Sequence, residues 1–232
     1  MSLATFKDLC IDAVDAHRLG DFWAGALGLA CEQRTDGNAA LTGPTSAHTV
    51  WINQVPEPKT VRHRVHLDVH VASIDRLVAL GATVIDDQSF RWTVMTDPDG
   101  GEFCAFVREQ TADYRLYEIV VGCTDHGALS MWWSDVIGGR RVLDDRGFSY
   151  LEQVPGVPFD AISFVPVPEA RQTKNRVHLD LVAAEAGTRD ELIDVGATLV
   201  RARDDEISWD VLADPEGNEF CVFPADWSPV AR

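Results

Sequence analysis

The chain has 232 residues, of which 46% are hydrophobic and 25% charged. That is globular composition, with room for two cores of roughly 110 residues each, and it excludes a disordered or fibrous chain. With 37 acidic against 20 basic residues the formal net charge is −17, a field that repels phosphate backbones and anionic lipid surfaces, so nucleic acid and membranes are excluded as partners and a cation is favoured at long range.

In chain order, "DLCIDAV" from Asp8 alternates as a strand does. Asp15 stands at a helix N-cap, with Leu19, Phe22, Trp23, Ala26 and Leu27 at helical spacing, and Gly28 closes the helix. "ACEQRTDGNAALTG" predicts a hairpin turning at Asp36-Gly37. "TVWINQV" predicts a strand ended by Pro56 and Pro58. The pattern then restarts. "RVHLDVHV" is a strand, Ser73 caps a short helix stopped by Gly81, and "ATVI", "WTVMT" and "EFCAFV" are strands, with "DPDG" as the tight turn before the last.

The second half repeats this order. "DAHRLGDFWAGALG" (Asp15) matches "DHGALSMWWSDVIG" (Asp125) at a shift of 110. "VPEPK" (Val55) matches "VPEAR" (Val167), and "RVHLDV" (Arg64) matches "RVHLDL" (Arg176), both at 112. "GATVI" matches "GATLV" at 115, and "WTVMTDPDGGEFCAF" (Trp92) matches "WDVLADPEGNEFCVF" (Trp209) at 117. A shift that only grows marks a duplication with small insertions in the second copy. The domains are read as 4–109 and 114–226, joined by a short polar linker. Each spells β-α-β-β-β twice, so the chain holds four modules of an α+β class with mostly antiparallel sheets.

Paired βαβββ modules with "FW…LG" on the first helix, "HLD" on the fifth strand and "DPEGNEFC" before the eighth resemble the vicinal oxygen chelate superfamily, in its glyoxalase-like branch. That group includes glyoxalase I, bleomycin-resistance proteins and extradiol dioxygenases. The resemblance implies sheets curled into open half-barrel clefts with helices outside, and metal ligands on the first, fifth and eighth strands of the enzymes. By position these fall on Asp8 and Glu118, on His66 and His178, and on Cys104 and Cys221, where the metal enzymes usually carry Glu. Glu102 and Glu219 stand two residues earlier on the same face and offer a substitute carboxylate.

Strand alternation puts His66 and Asp68, and likewise His178 and Asp180, on the cleft face. Each pair reads either as site chemistry, with a histidine that titrates near neutrality, or as a hydrogen-bonded pair satisfying polar groups inside a barrel. Trp92 and Trp209 read as ligand-stacking rings or as core. His17, His48, His63, His70 and His126 have no ligand spacing and read as surface or turn residues. The cleft-facing residues of the first strand are Asp8, Cys10 and Asp12 in one copy and Glu118, Val120 and Gly122 in the other, so the second cleft reads as emptier and suited to something larger.

Five cysteines, odd in number and without CxxC, read as reduced thiols. No apolar run reaches the roughly 18 residues of a transmembrane helix, and the N-terminal stretch lacks a signal-peptide core, so a cytoplasmic location is expected. The absent third carboxylate favours a small-molecule-binding protein of the bleomycin-resistance kind, without a catalytic metal and with a cationic ligand suited to the acidic charge. The alternative is a lyase, isomerase or dioxygenase that uses a divalent metal, held by His66 or His178 with Asp8 or Glu118, on an oxygen-rich substrate. Tandem copies supply pairing within one chain, which leaves monomer and homodimer both open.

Overall fold

The structure, a computed structural model, describes residues 2–168 and 171–228; part of the "VPEAR" match lies outside them. The first half runs β1 (Ala4–Ala13), α1 (Ala16–Leu27), β2 (Ala30–Gln33), β3 (Ala39–Thr42), β4 (Val50–Gln54), β5 (Val65–Val71), α2 (Ile74–Ala79), β6 (Thr83–Asp86), β7 (Thr93–Thr96) and β8 (Glu102–Val107). The second runs β9 (Leu116–Cys123), α3 (His126–Ile137), β10 (Arg140–Asp144), β11 (Phe148–Glu152), β12 (Ala161–Pro166), β13 (Val177–Ala183), α4 (Thr188–Asp194), β14 (Thr198–Arg201), β15 (Asp210–Ala213) and β16 (Glu219–Phe223). The α+β class and the four modules stand. No helix among the described residues is long and apolar enough to cross a membrane.

The sixteen strands form two eight-stranded sheets that exchange modules between the halves. The first sheet has the order β14-β15-β16-β13-β1-β4-β3-β2 and the second β10-β11-β12-β9-β5-β8-β7-β6. The sequence left open whether clefts close within a half or between halves, and the sheets close between them. β1 lies antiparallel to β13, with Leu9 opposite Leu179 and Cys10 opposite His178. β5 lies antiparallel to β9, with Leu67 opposite Ile119 and Asp68 opposite Glu118. β1 starts at Ala4 rather than Asp8 because its first residues pair with the end of β13.

Within a half, helix and turn do the joining. Asp15 caps α1 by accepting from the Arg18 amide at 3.0 Å, and Asp125 caps α3 by accepting from that of Ala128 at 2.9 Å. Ser73 precedes α2 without a side-chain cap. The indole of Trp23 on α1 donates to Asp97 in the "DPDG" turn at 3.3 Å, and Trp133 on α3 donates to Asp214 in the "DPEG" turn at 3.1 Å. Phe22, Trp23 and Phe103 form an edge-on triad with centroids 5.1–5.8 Å apart, and Trp132, Trp133 and Phe220 repeat it. The two acids thus serve turn geometry, as read from the sequence. Gly28 ends α1 at φ 81°, and a Cβ there would stand 2.0 Å from the carbonyl oxygen of Asp113, so both conformation and space demand glycine.

Leu9, Ile11, Leu67, Val69, Phe103, Ile119, Leu179 and Phe220 belong to one continuous core spanning both sheets. The alternate residues of the same strands face the clefts. A chain cut to residues 1–111 loses the β13 partner of β1 and the β9 partner of β5. It is expected to run as a dimer in size-exclusion chromatography with light scattering; a stable monomer would mean that the exchanged pairing is dispensable.

Candidate functional site

Each cleft floor is assembled from the first strand of one half and the fifth and eighth strands of the other. In the first sheet Asp8, Cys10 and Asp12 meet His178, Asp180 and Cys221, and all six are buried. In the second, Glu118, Val120 and Gly122 meet His66, Asp68 and Cys104. Asp8 therefore meets His178, not His66.

The two floors are equivalent in backbone and opposite in filling. Trp51 sits opposite Cys10 on β4, and its indole donates to Asp8 at 3.1 Å, laying a large ring across the first floor. Lys174 closes the floor's edge with an ion pair to Asp12 at 2.5 Å. The structural counterpart of Trp51 is Ser163, opposite Val120, whose hydroxyl donates to Glu118 at 2.6 Å. The counterpart of Asp12 is Gly122. A cavity of about 1190 Å³ opens over the second floor, lined there by His66, Cys104, Val120 and Gly122. It is framed by the two linkers before the fifth strands, through residues 55–64, 167–168 and 171–176. At the first floor, His178 borders only a hollow of about 20 Å³, room for about one water molecule.

In the second floor His66 Nε2 lies 3.7 Å from Cys104 Sγ and 3.3 Å from Asp68 Oδ1. The second contact lacks hydrogen-bond alignment, and this buried Asp68 oxygen has no hydrogen-bond partner among the described residues. Burial pushes Glu118 up from 4.5 to about 7, with the hydrogen bond from Ser163 opposing the shift and neighbouring Asp68 adding to it. Burial, with help from Asp68, drives the Cys104 thiol far up, so it is protonated at neutral pH and is no nucleophile. In the first floor burial raises Asp8 to about 7 with Asp180 adding to it, and Cys221 is driven far up in the same way.

Glu102 and Glu219 face other work than ligation. Glu102 accepts from Lys59 Nζ at 2.8 Å and from the His63 amide at 2.9 Å. Glu219 binds the Arg171 guanidinium and accepts from the Asn175 amide at 3.1 Å. The duplicated glutamates thus clamp the two linkers over the sheets. Trp92 stacks between Phe90 and Phe106, and Trp209 stacks on Phe223; neither lines the large cavity. Sequence reading missed His63, which stands in the cavity wall rather than on the surface, its pKa lowered to about 4 by burial. It also missed Arg62, Ser163 and the linkers, whose position over the cleft depends on the exchange between halves.

These features define a duplicated βαβββ protein with one filled and one open cleft. The glyoxalase-like domain model matches residues 8–106 and again 118–223. The chain belongs to that family, within the vicinal oxygen chelate superfamily, and carries its domain in tandem. Among solved structures it is similar to glyoxalase I from Zea mays, with a TM-score of 0.71 at 12% identity over 96% of this chain and 92% of that one. It is also similar to a putative dioxygenase from Bacillus subtilis, with a TM-score of 0.65 at 14% identity over 98% and 87%. At such identity the likeness is one of fold. A search of curated protein sequences finds no match.

The donor set of the open floor fits a soft to borderline ion such as zinc. Atoms of His66, Asp68 and Cys104 lie within 4.8 Å of one another, and the Asp68 oxygen lacks a donor. His178, Asp180 and Cys221 form an equally compact set that is wholly buried.

Because folded Glu118 takes its proton near pH 7 and an unfolded one near 4.5, the folded state binds more protons between these values. Its ionisation therefore opposes folding above pH 7 and has no effect below 4.5. Glu118→Gln, which keeps an acceptor for Ser163, is expected to raise the melting temperature at pH 8 and to leave it nearly unchanged at pH 4. Equal shifts at both pH values in thermal denaturation would show that no buried charge is involved.

Proposed function

We propose that the chain binds a small organic molecule in the open cleft of the second sheet, without a catalytic metal. The contrast between the two clefts carries this reading. Copies built on the same backbone differ where Trp51 covers one floor and Ser163 leaves the other clear; the large cavity reaches His66, Cys104, Val120 and Gly122 of the cleared floor but only Asp12 at the edge of the filled one. A pocket of this kind, with an apolar wall and a few convergent polar groups, is the usual form of a ligand site. The wall comes from Val94, Phe103, Val120 and Val165; the polar groups in the lining include His63, His66 and Glu102, with Glu118 and Ser163 on the same floor. His66 offers a ring nitrogen to a ligand, and Glu118 is a carboxyl group able to hold or yield a proton near neutral pH. The family's eighth-strand carboxylate is a protonated thiol here, and the neighbouring Glu102 is committed to the linker.

The partnerless oxygen of Asp68 favours a second reading, in which His66, Asp68 and Cys104 hold a divalent ion with Glu118 beside them. When bound, such an ion would polarise substrate oxygens as a Lewis acid, the chemistry of a lyase, isomerase or dioxygenase.

Ser163→Trp copies the plug of the first floor. Compounds that stabilise the wild-type chain in a thermal-shift screen are expected to lose that effect in Ser163→Trp, with circular dichroism unchanged. Retained stabilisation would place the ligand elsewhere. Elemental analysis of protein purified without chelators decides the second reading: one divalent ion per chain, lost in His66→Ala, would replace the metal-free reading.

A further inference from the structure

The lining of the open cavity runs against the charge of the chain. Among the described residues six basic ones line it, namely Lys59, Arg62, Arg64, Arg171, Lys174 and Arg176, against three acidic ones, Asp12, Glu57 and Glu102. Most of these bases are held. Lys59 pairs with Glu102, Arg64 with Glu216, Arg171 with Glu219 and Lys174 with Asp12, while Arg176 donates to the backbone carbonyl of Glu57. Arg62 has no such partner among the described residues.

The duplication explains why. Arg62 is the counterpart of Lys174, 112 residues on in the matching linker, and Asp12 is the counterpart of Gly122. In the filled cleft the linker cation is neutralised by the first-strand carboxylate of Asp12. In the open cleft that strand position is Gly122, where a Cβ would stand 3.1 Å from the Arg64 carbonyl oxygen and 3.2 Å from Val167, directly beneath the linker. Arg62 lines the same cavity as His66, Cys104 and Gly122 of the floor. Among the described residues, the open cleft therefore lacks the carboxylate that the filled one supplies to its linker cation.

We infer that the ligand of the open cleft is a small acid whose anionic group pairs with Arg62 above Gly122, taking the place that Asp12 holds opposite Lys174. This rests on the reading of the open cleft as a small-molecule site and adds the ligand's charge. A guanidinium matches a carboxylate or a phosphate monoester in bidentate geometry, and the apolar wall beyond it suits a short carbon body.

The test uses the full chain and four probes of similar size in calorimetry and thermal shift: succinate, glycerol 3-phosphate, neutral succinamide and cationic 1,4-diaminobutane. At least one of the two anions is expected to bind, with affinity falling as salt rises. Which anion binds separates carboxylate from phosphate recognition. Arg62→Gln, an exposed change that breaks no ion pair, is expected to weaken it at least about tenfold, as loss of a charged hydrogen bond does. Gly122→Asp, which restores the internal carboxylate, should abolish anion binding; Arg62→Gln keeps the inference falsifiable if that variant misfolds. Failure of both anions, or an anion affinity indifferent to Arg62→Gln, overturns the inference. If succinamide or the diamine binds instead and is lost in Ser163→Trp, the inference fails while the cleft remains a small-molecule site. If an anion binds and Ser163→Trp leaves it unaffected, the ion sits outside the cleft and both readings fall.

Discussion

Antiparallel pairing of the first strand of one half with the fifth strand of the other is the constraint on which the molecule depends. It places Asp8 beside Asp180 and Glu118 beside Asp68, and so decides which residues share a cleft. It also leaves each half without a sheet of its own. What keeps a half together is the helix, whose tryptophan donates to the acid of the "DPxG" turn and whose rings pack on the eighth strand. Hydrogen-bonded strands thus tie half to half while aromatic packing ties module to module. Neither set of contacts suffices alone, and the continuous core follows from having both.

A duplication of this kind gives two equivalent floors, and the chain has used them differently. The filled floor carries buried Asp8, Asp12, Asp180 and His178, an expensive set of groups to remove from water. It meets part of that cost with its own partners, Lys7 and Trp51 on Asp8 and Lys174 on Asp12, while one oxygen each of Asp8 and Asp180 has no hydrogen-bond partner among the described residues. The open floor keeps the hydrogen bond to its first-strand carboxylate, from Ser163 to Glu118, but has Tyr117 where the filled one has Lys7 and Gly122 where it has Asp12. An oxygen of Asp68 lacks a donor there, as its counterpart on Asp180 does in the filled floor, and among the described residues Arg62 has no acid partner.

The class, the four modules, the helix caps and the turns were legible in the sequence because they depend on local chemistry: an N-cap carboxylate, a left-handed glycine, alternation along a strand. The repeat made the cleft faces legible too, and the comparison of Asp8-Cys10-Asp12 with Glu118-Val120-Gly122 already marked the emptier cleft. Three things were not legible. Whether Asp8 meets His66 or His178 is a matter of strand exchange, which no local pattern encodes. Trp51 and Ser163 sit at matching places on a strand with no motif of its own, so their contrast has meaning only once they lie over a floor. Glu102 and Glu219 share a face with Cys104 and Cys221, but alternation cannot say that a linker cation will claim them first.

Those two glutamates also resolve how an acidic chain can present a basic cavity. Net charge is a sum, and it speaks to solubility and long-range attraction; a site responds to the charges within about one Debye length, roughly 8–10 Å. Glu102 and Glu219 hold Lys59 and Arg171 at the edge of the sheets, and in doing so fix both linkers with their remaining cations over the cleft. A carboxylate clamped to a cation offers little to a ligand, whereas an unclamped guanidinium beside it offers a full charge. Two of the residues that add to the acidic charge of the chain are thus occupied in holding linker cations in place. For an anion of the kind proposed, the surrounding acidic surface would slow the approach, and because Arg62 is exposed, solvent and salt would screen its hold as well.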